Sequence, residues 1–177
     1  MSTFLHYDSL EISKEWFQYG KENYKGQKAP EIAFRFIAYW IAFNGFYAQC
    51  STKYSTEQED IETFIKKNIG AFSNLFDFEN DRELRIFREY PVFKNDREPN
   101  WNGDYLDPNN ADKDVQRYQR FMNPRMSECE RLQALMLTIY QVRCNMFHGQ
   151  KGTEPSRNFN LVDASQQVLE KILECLL

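Results

Sequence analysis

The sequence predicts an all-α protein, a single helical bundle occupying residues 1–177. Three observations carry that expectation. Apolar residues recur at helical i, i+3, i+4 spacing in several segments, whereas no segment reads as a convincing strand. Two capping boxes, Thr56-Glu57-Gln58-Glu59 and Ser127-Glu128-Cys129-Glu130, mark helix starts. Glycine and proline are scarce, 7 and 6 in 177 residues, which argues against a multi-turn β-sandwich.

The elements follow in order. Ser9 is placed to cap a first helix reaching about Tyr24, with Leu10, Ile12, Trp16 and Phe17 as apolar positions and Lys25-Gly26 after its end. Pro30 suits the first turn of a second helix running to about Cys50. That segment is apolar on nearly every face, so it reads as the central helix of the bundle. A third helix begins at the Thr56 box, turns Ile61, Phe64 and Ile65 inward, and is expected to stop at Gly70. A charged fourth helix is expected over Glu79 to Glu89, with Pro91 closing it.

Residues 91–125 are rich in Pro, Asn and Asp and read as a long surface excursion holding one short helix near Asp112 to Phe121. The Ser127 box opens a long helix with Leu132, Leu135, Met136, Ile139, Tyr140 and Phe147 as its apolar stripe. A last amphipathic helix is expected from about Asp163, with Val168, Leu169, Ile172, Leu173 and Leu176 on one face.

Composition limits the function. Net charge is −4, and general polyanion binding needs summed positive charge, so any RNA contact has to be local or built by an assembled dimer. The four cysteines, Cys50, Cys129, Cys144 and Cys175, are scattered, with neither zinc-ligand spacing nor a disulfide framework. The first residues lack the basic and apolar regions of a signal peptide, and no run of about 18 apolar residues occurs. The expectation is a cytoplasmic protein without a membrane span, cofactor or metal.

The chemistry concentrates in Arg143-Cys144-Asn145-Met146-Phe147-His148-Gly149. Arginine can hold a phosphate and histidine can move a proton near neutral pH, the minimum for cleaving RNA without a metal. Arg143 falls within about 20° of Met136 on a straight helix, in line with the buried stripe. It therefore either pairs with a buried carboxylate or carbonyl, or faces a cleft and holds a phosphate. His148 sits about 140° further round an ideal helix. Gly149 suits the left-handed position after a helix end, which places His148 at the negative end of the dipole. There it acts either as a capping residue or as an acid–base catalyst. The helix end, or a second chain, has to bring the two side chains together. Asn44 falls on the stripe of Ala33, Phe36, Ile37, Trp40 and Tyr47 and is expected to be a buried amide, bracing Arg143 or His148 or bonding two helices. Lys151 is either a phosphate contact or a solvated loop lysine.

Arg143-x4-His148 at the end of a penultimate long helix resembles the R-x4–6-H motif of the HEPN superfamily. The segment Tyr39-Trp40-Ile41-Ala42-Phe43-Asn44-Gly45-Phe46-Tyr47 is similar to the Trp-x-Ala-Phe-Asn-x-x-Tyr signature of a HEPN subgroup. The likeness covers the core helices and leaves out residues 91–125. It implies a homodimer with two motifs facing one cleft and metal-independent endoribonuclease activity, often in toxins or phage-defence effectors with an antitoxin or defence partner. His148 would move protons between the ribose 2′-OH and the leaving 5′-oxygen, and Arg143 would neutralise the phosphoryl oxygens. The products would be a 2′,3′-cyclic phosphate and a 5′-OH, with DNA inert. The chain departs from the family at Cys144, where Asn, Asp or His usually stands; Cys144 and Asn145 are the candidate polar support. Gln150 stands where some toxins carry a modifiable tyrosine. The alternative is a catalytically inactive HEPN-like module that binds nucleotide or RNA or mediates protein contacts.

Overall fold

In a computed structural model, which describes residues 3–89, 91–94, 107–147 and 155–177, those residues form seven α-helices and no strand, an all-α bundle. Helix α1 (Thr3–Asn23) lies antiparallel against α2 (Ala29–Tyr47). Small residues let the two backbones approach. A Cβ added to Gly45 would lie 2.2 Å from Ser13 Oγ, and one added to Gly20 would lie 2.8 Å from the Tyr39 ring. Helix α1 starts earlier than the expected Ser9 cap. Ser9 is already inside it, with its carbonyl accepting from Ser13 Oγ at 2.8 Å.

Helix α2 has Pro30 in its first turn, as expected, and continues through a single 3-10 turn, Ala48–Cys50. It is the central helix: α1, α7 (Pro155–Leu176) and α3 (Glu57–Phe72) all pack on it. Phe36, Tyr39 and Phe43 are fully buried there. Burial of each such side chain stabilises the fold by about 2–3 kcal/mol before conformational entropy is set against it.

At the start of α3, Thr56 Oγ1 accepts from Glu59 N, and the Glu59 carboxylate accepts from Thr56 N at 2.7 Å. Gly70 does not stop this helix. It continues to Phe72, and Asn74 takes the left-handed conformation (φ 60°) with its N–H bound to Glu128 at 2.8 Å. The charged helix expected over 79–89 is also shorter. Asp77 accepts from the backbone of Glu79 and Asn80, and Asp81 from that of Asp77, so these side chains hold a turn. Only a 3-10 turn, Arg82–Leu84, and α4 (Arg85–Glu89) follow.

The expected surface excursion at 91–125 is narrower than predicted. Residues 91–93 are buried, and their backbone has no helix or sheet to pair with. Side chains from three helices satisfy it instead. Arg157 donates to Pro91 O (3.1 Å), Arg117 to Val92 O (2.5 Å) and Asn145 to Phe93 O (2.8 Å), while Lys94 N donates to Asp114 (2.7 Å). Helix α5 (Lys113–Met122), capped by Asp112, matches the short helix expected near 112–121, but it belongs to the core through Val115, Tyr118 and Phe121.

Helix α6 (Glu128–Phe147) starts at the Ser127 box and lies between α3 and α5. Leu132, Leu135, Met136 and Ile139 are buried as expected, whereas Phe147, placed on the same stripe, is 59% exposed. Helix α7 begins at Pro155 and not near Asp163. Its early turns are held by the buried Leu161 and the Arg157 bond to Pro91. No helix among the described residues is long and apolar enough to cross a membrane.

Candidate functional site

The last turns of α6 meet the end of α2 and the first turn of α3 around Arg143. Three elements converge there because α2 supplies Trp40 and Tyr47, the Thr56 cap fixes Glu57 as the first residue of α3, and α6 supplies Tyr140, Arg143, Cys144 and Phe147. Arg143 Nη2 bonds Glu57 Oε1 at 3.1 Å, and Nη1 lies 3.7 Å from Cys144 Sγ. The guanidinium carbon sits 5.4 Å from the Trp40 ring, 5.5 Å from Tyr140 and 5.9 Å from Phe147, within cation–π range of all three. The Tyr47 hydroxyl, on a buried side chain, donates to the same Glu57 oxygen.

Of the two surroundings expected for Arg143, the structure supplies a carboxylate partner without sealing the pair away. The arginine side chain is 24% exposed and the glutamate 32%. The contacts with Glu57 and Cys144 leave other donors among its five N–H groups to reach a phosphate. Burial works against the guanidinium charge, and Glu57 together with Cys144 outweighs it, so Arg143 is held above its ordinary pKa. The same surroundings keep nearby phenols neutral. Burial, with Cys144 adding to it, pushes Tyr140 up to about 12. Burial and then the Glu57 bond push Tyr47 further up. The Trp40 indole N–H is buried in this wall without an acceptor among the described residues.

The other sequence candidates divide. Cys144 is half-buried and belongs to the cluster. Asn145 does not: it points the opposite way, 6% exposed, accepting from Gln141 at 2.8 Å and donating to Phe93 O. Its role is to hold residues 91–94. Asn44, expected as a buried amide, is exposed. The strip of α2 that carries Phe34, Ile37, Ile41 and Asn44 is its least covered face. His148, Gly149, Gln150 and Lys151 lie outside the described residues. Among the described residues no three His, Cys, Asp or Glu side chains gather as a metal site.

Sequence reasoning missed Glu57, and it named Tyr47 only on the α2 stripe and in the aromatic signature, without a role at the site. Glu57 is 86 positions from Arg143, and its only local signal is that of an ordinary acidic residue in a helix's first turn. A cavity of about 1410 Å³ opens on the other side of that turn, between α3 and α5, with Leu137 and Gln141 among its lining and Arg143 not. It is a separate feature from the arginine cluster. No family model, curated protein or solved structure matches this chain.

Proposed function

We propose that the protein is a HEPN-type, metal-independent endoribonuclease in which Arg143 holds the scissile phosphate and His148 transfers protons. The supporting observation is the state of Arg143. It stands at the mouth of an aromatic enclosure, partly exposed, on the last turn of the helix that leads to His148. A partly dehydrated guanidinium binds a phosphoryl oxygen more strongly than one in bulk water. The 2′-OH would attack the adjacent phosphorus as His148 removes its proton. The 5′-oxygen would then leave with a proton, giving a 2′,3′-cyclic phosphate. A homodimer places a second motif against the same cleft, and RNA is the substrate. A cytoplasmic toxin or defence effector, held in check by an antitoxin or defence partner, fits this chemistry.

The Glu57 bridge supports a second reading, an inactive HEPN-like module that binds nucleotide or RNA or mediates protein contacts, because the arginine's charge is already compensated within the chain. RNA cleavage in the presence of a chelator separates the two. The enzyme reading expects wild-type protein to release 2′,3′-cyclic ends, and His148→Ala and Arg143→Ala to lose them. Equal activity in all three proteins, or none in the wild type, removes it.

A further inference from the structure

Glu57 is the carboxylate already bonded to Arg143. Its Oε1 is shared between Arg143 Nη2 at 3.1 Å and the Tyr47 hydroxyl. The phenol is buried and held neutral, so it remains a hydrogen-bond donor to the carboxylate across the physiological pH range. The carboxylate is about one-third exposed, so it can swing into water without breaking the core. The arginine's aromatic walls, by contrast, hold its position whether or not Glu57 is engaged.

We propose that Glu57 is a competitive latch on the Arg143 site. It neutralises the guanidinium while the site is empty, and a phosphate that takes Arg143 in a two-oxygen fork must exchange with it for Nη2. Tyr47 sets the strength of the latch by holding the carboxylate in place. The idea rests on the reading of Arg143 as a phosphate holder, and it adds how that site is regulated. A weakly charged or neutral ligand gains too little from the arginine to displace a carboxylate already bonded to two donors. A phosphate monoester or diester, with two oxygens to offer a guanidinium fork, gains enough.

The test is a titration of the 177-residue protein with inorganic phosphate, followed by phosphorus NMR, alongside Glu57→Gln, Tyr47→Phe and Arg143→Gln. Removing the competing charge of a partly exposed pair should tighten phosphate binding by up to about fivefold in Glu57→Gln. Tyr47→Phe should tighten it less, and Arg143→Gln should abolish it. Circular dichroism and thermal melts establish that each variant is folded, and Tyr47→Phe keeps the test decisive if Glu57→Gln is not. Unchanged or weaker binding in the folded Glu57 and Tyr47 variants overturns the latch, as does an absence of phosphate binding in wild type and Glu57→Gln alike. Tighter binding in Glu57→Gln by a protein that never cleaves RNA leaves the latch standing and removes the nuclease reading alone.

Discussion

Replacing Asn145 with alanine tests whether this residue supports the site or the fold. Its buried bonds include one accepted from Gln141 and one donated to Phe93 O, each 2.8 Å long. Alanine removes one partner each from the Gln141 amide and the Phe93 carbonyl, both on buried residues. At roughly 1–3 kcal/mol for each buried group deprived of its partner, and allowing for some relaxation, the loss is about 3 kcal/mol. For a chain of this size 1 kcal/mol shifts Tm by roughly 2–4 °C, so Asn145→Ala should melt about 6–12 °C below wild type. Urea denaturation gives the free energy directly, and hydrogen exchange at the Lys94 amide should speed up as the segment it belongs to loosens. Phosphate binding by the folded variant should be unchanged, since Asn145 points away from Arg143. A variant within about 0.5 kcal/mol of wild type, the range expected of surface substitutions, would refute the argument. So would one that keeps its stability and loses phosphate binding.

Two further predictions come from the geometry. Gly45→Ala should destabilise the protein, because the new Cβ lies 2.2 Å from Ser13 Oγ; adding Ser13→Ala should recover only part of the loss, since the Ser9 carbonyl oxygen stays 3.1 Å away, and additive effects in a double-mutant cycle would count against this packing. Tyr39, Tyr47 and Tyr140 have folded pKa values above the ordinary 10, Tyr140 at about 12. The unfolded chain therefore loses these protons first, and the stability they contribute is complete below pH 10 and lost as pH rises towards and beyond 12. Tyrosinate absorbance should show a late-titrating group alongside a stability curve falling above pH 10, and Tyr140→Phe should flatten part of that fall.

The parts of the fold legible in the sequence are those decided within one turn of helix. The Thr56 and Ser127 boxes, the Pro30 start and the Asp112 helix rest on contacts between residues two to four apart, and the structure contains each of them. The misplaced boundaries depend on distant partners. Ser156, Arg157, Asn158 and Asn160 hide the start of α7 in a polar stretch, yet Arg157 reaches Pro91 and Leu161 reaches the core. Asn44 failed for a different reason. A helix that is apolar on nearly every face has no strong moment, so its sequence cannot say which strip its neighbours leave open. Here α1, α3 and α7 cover the rest and leave the strip with Phe34 and Asn44 exposed. Residues 91–93 looked like surface chain because Pro and Asn cluster after them, whereas Arg157, Arg117 and Asn145 bond their carbonyls within the protein.

The site shows the same division between local and distant determinants, with a consequence for function. Arg143 was visible in the sequence as a charge on an apolar stripe, a position that demands a partner. The demand could be met by a ligand or by the protein, and spacing along one helix cannot distinguish them. The structure meets it from α3, and only in part. A glutamate sealed beside Arg143 would have made the arginine a fixed element of the core, where breaking the pair is strongly destabilising. A glutamate one-third exposed, bonded through one oxygen, leaves an ion pair whose stability contribution is small. The aromatic walls then matter more than the salt bridge. Trp40, Tyr140 and Phe147 fix where the cation stands, and Glu57 decides what it is bound to when no ligand is there. On the latch proposal, a site so divided would change partner without changing shape.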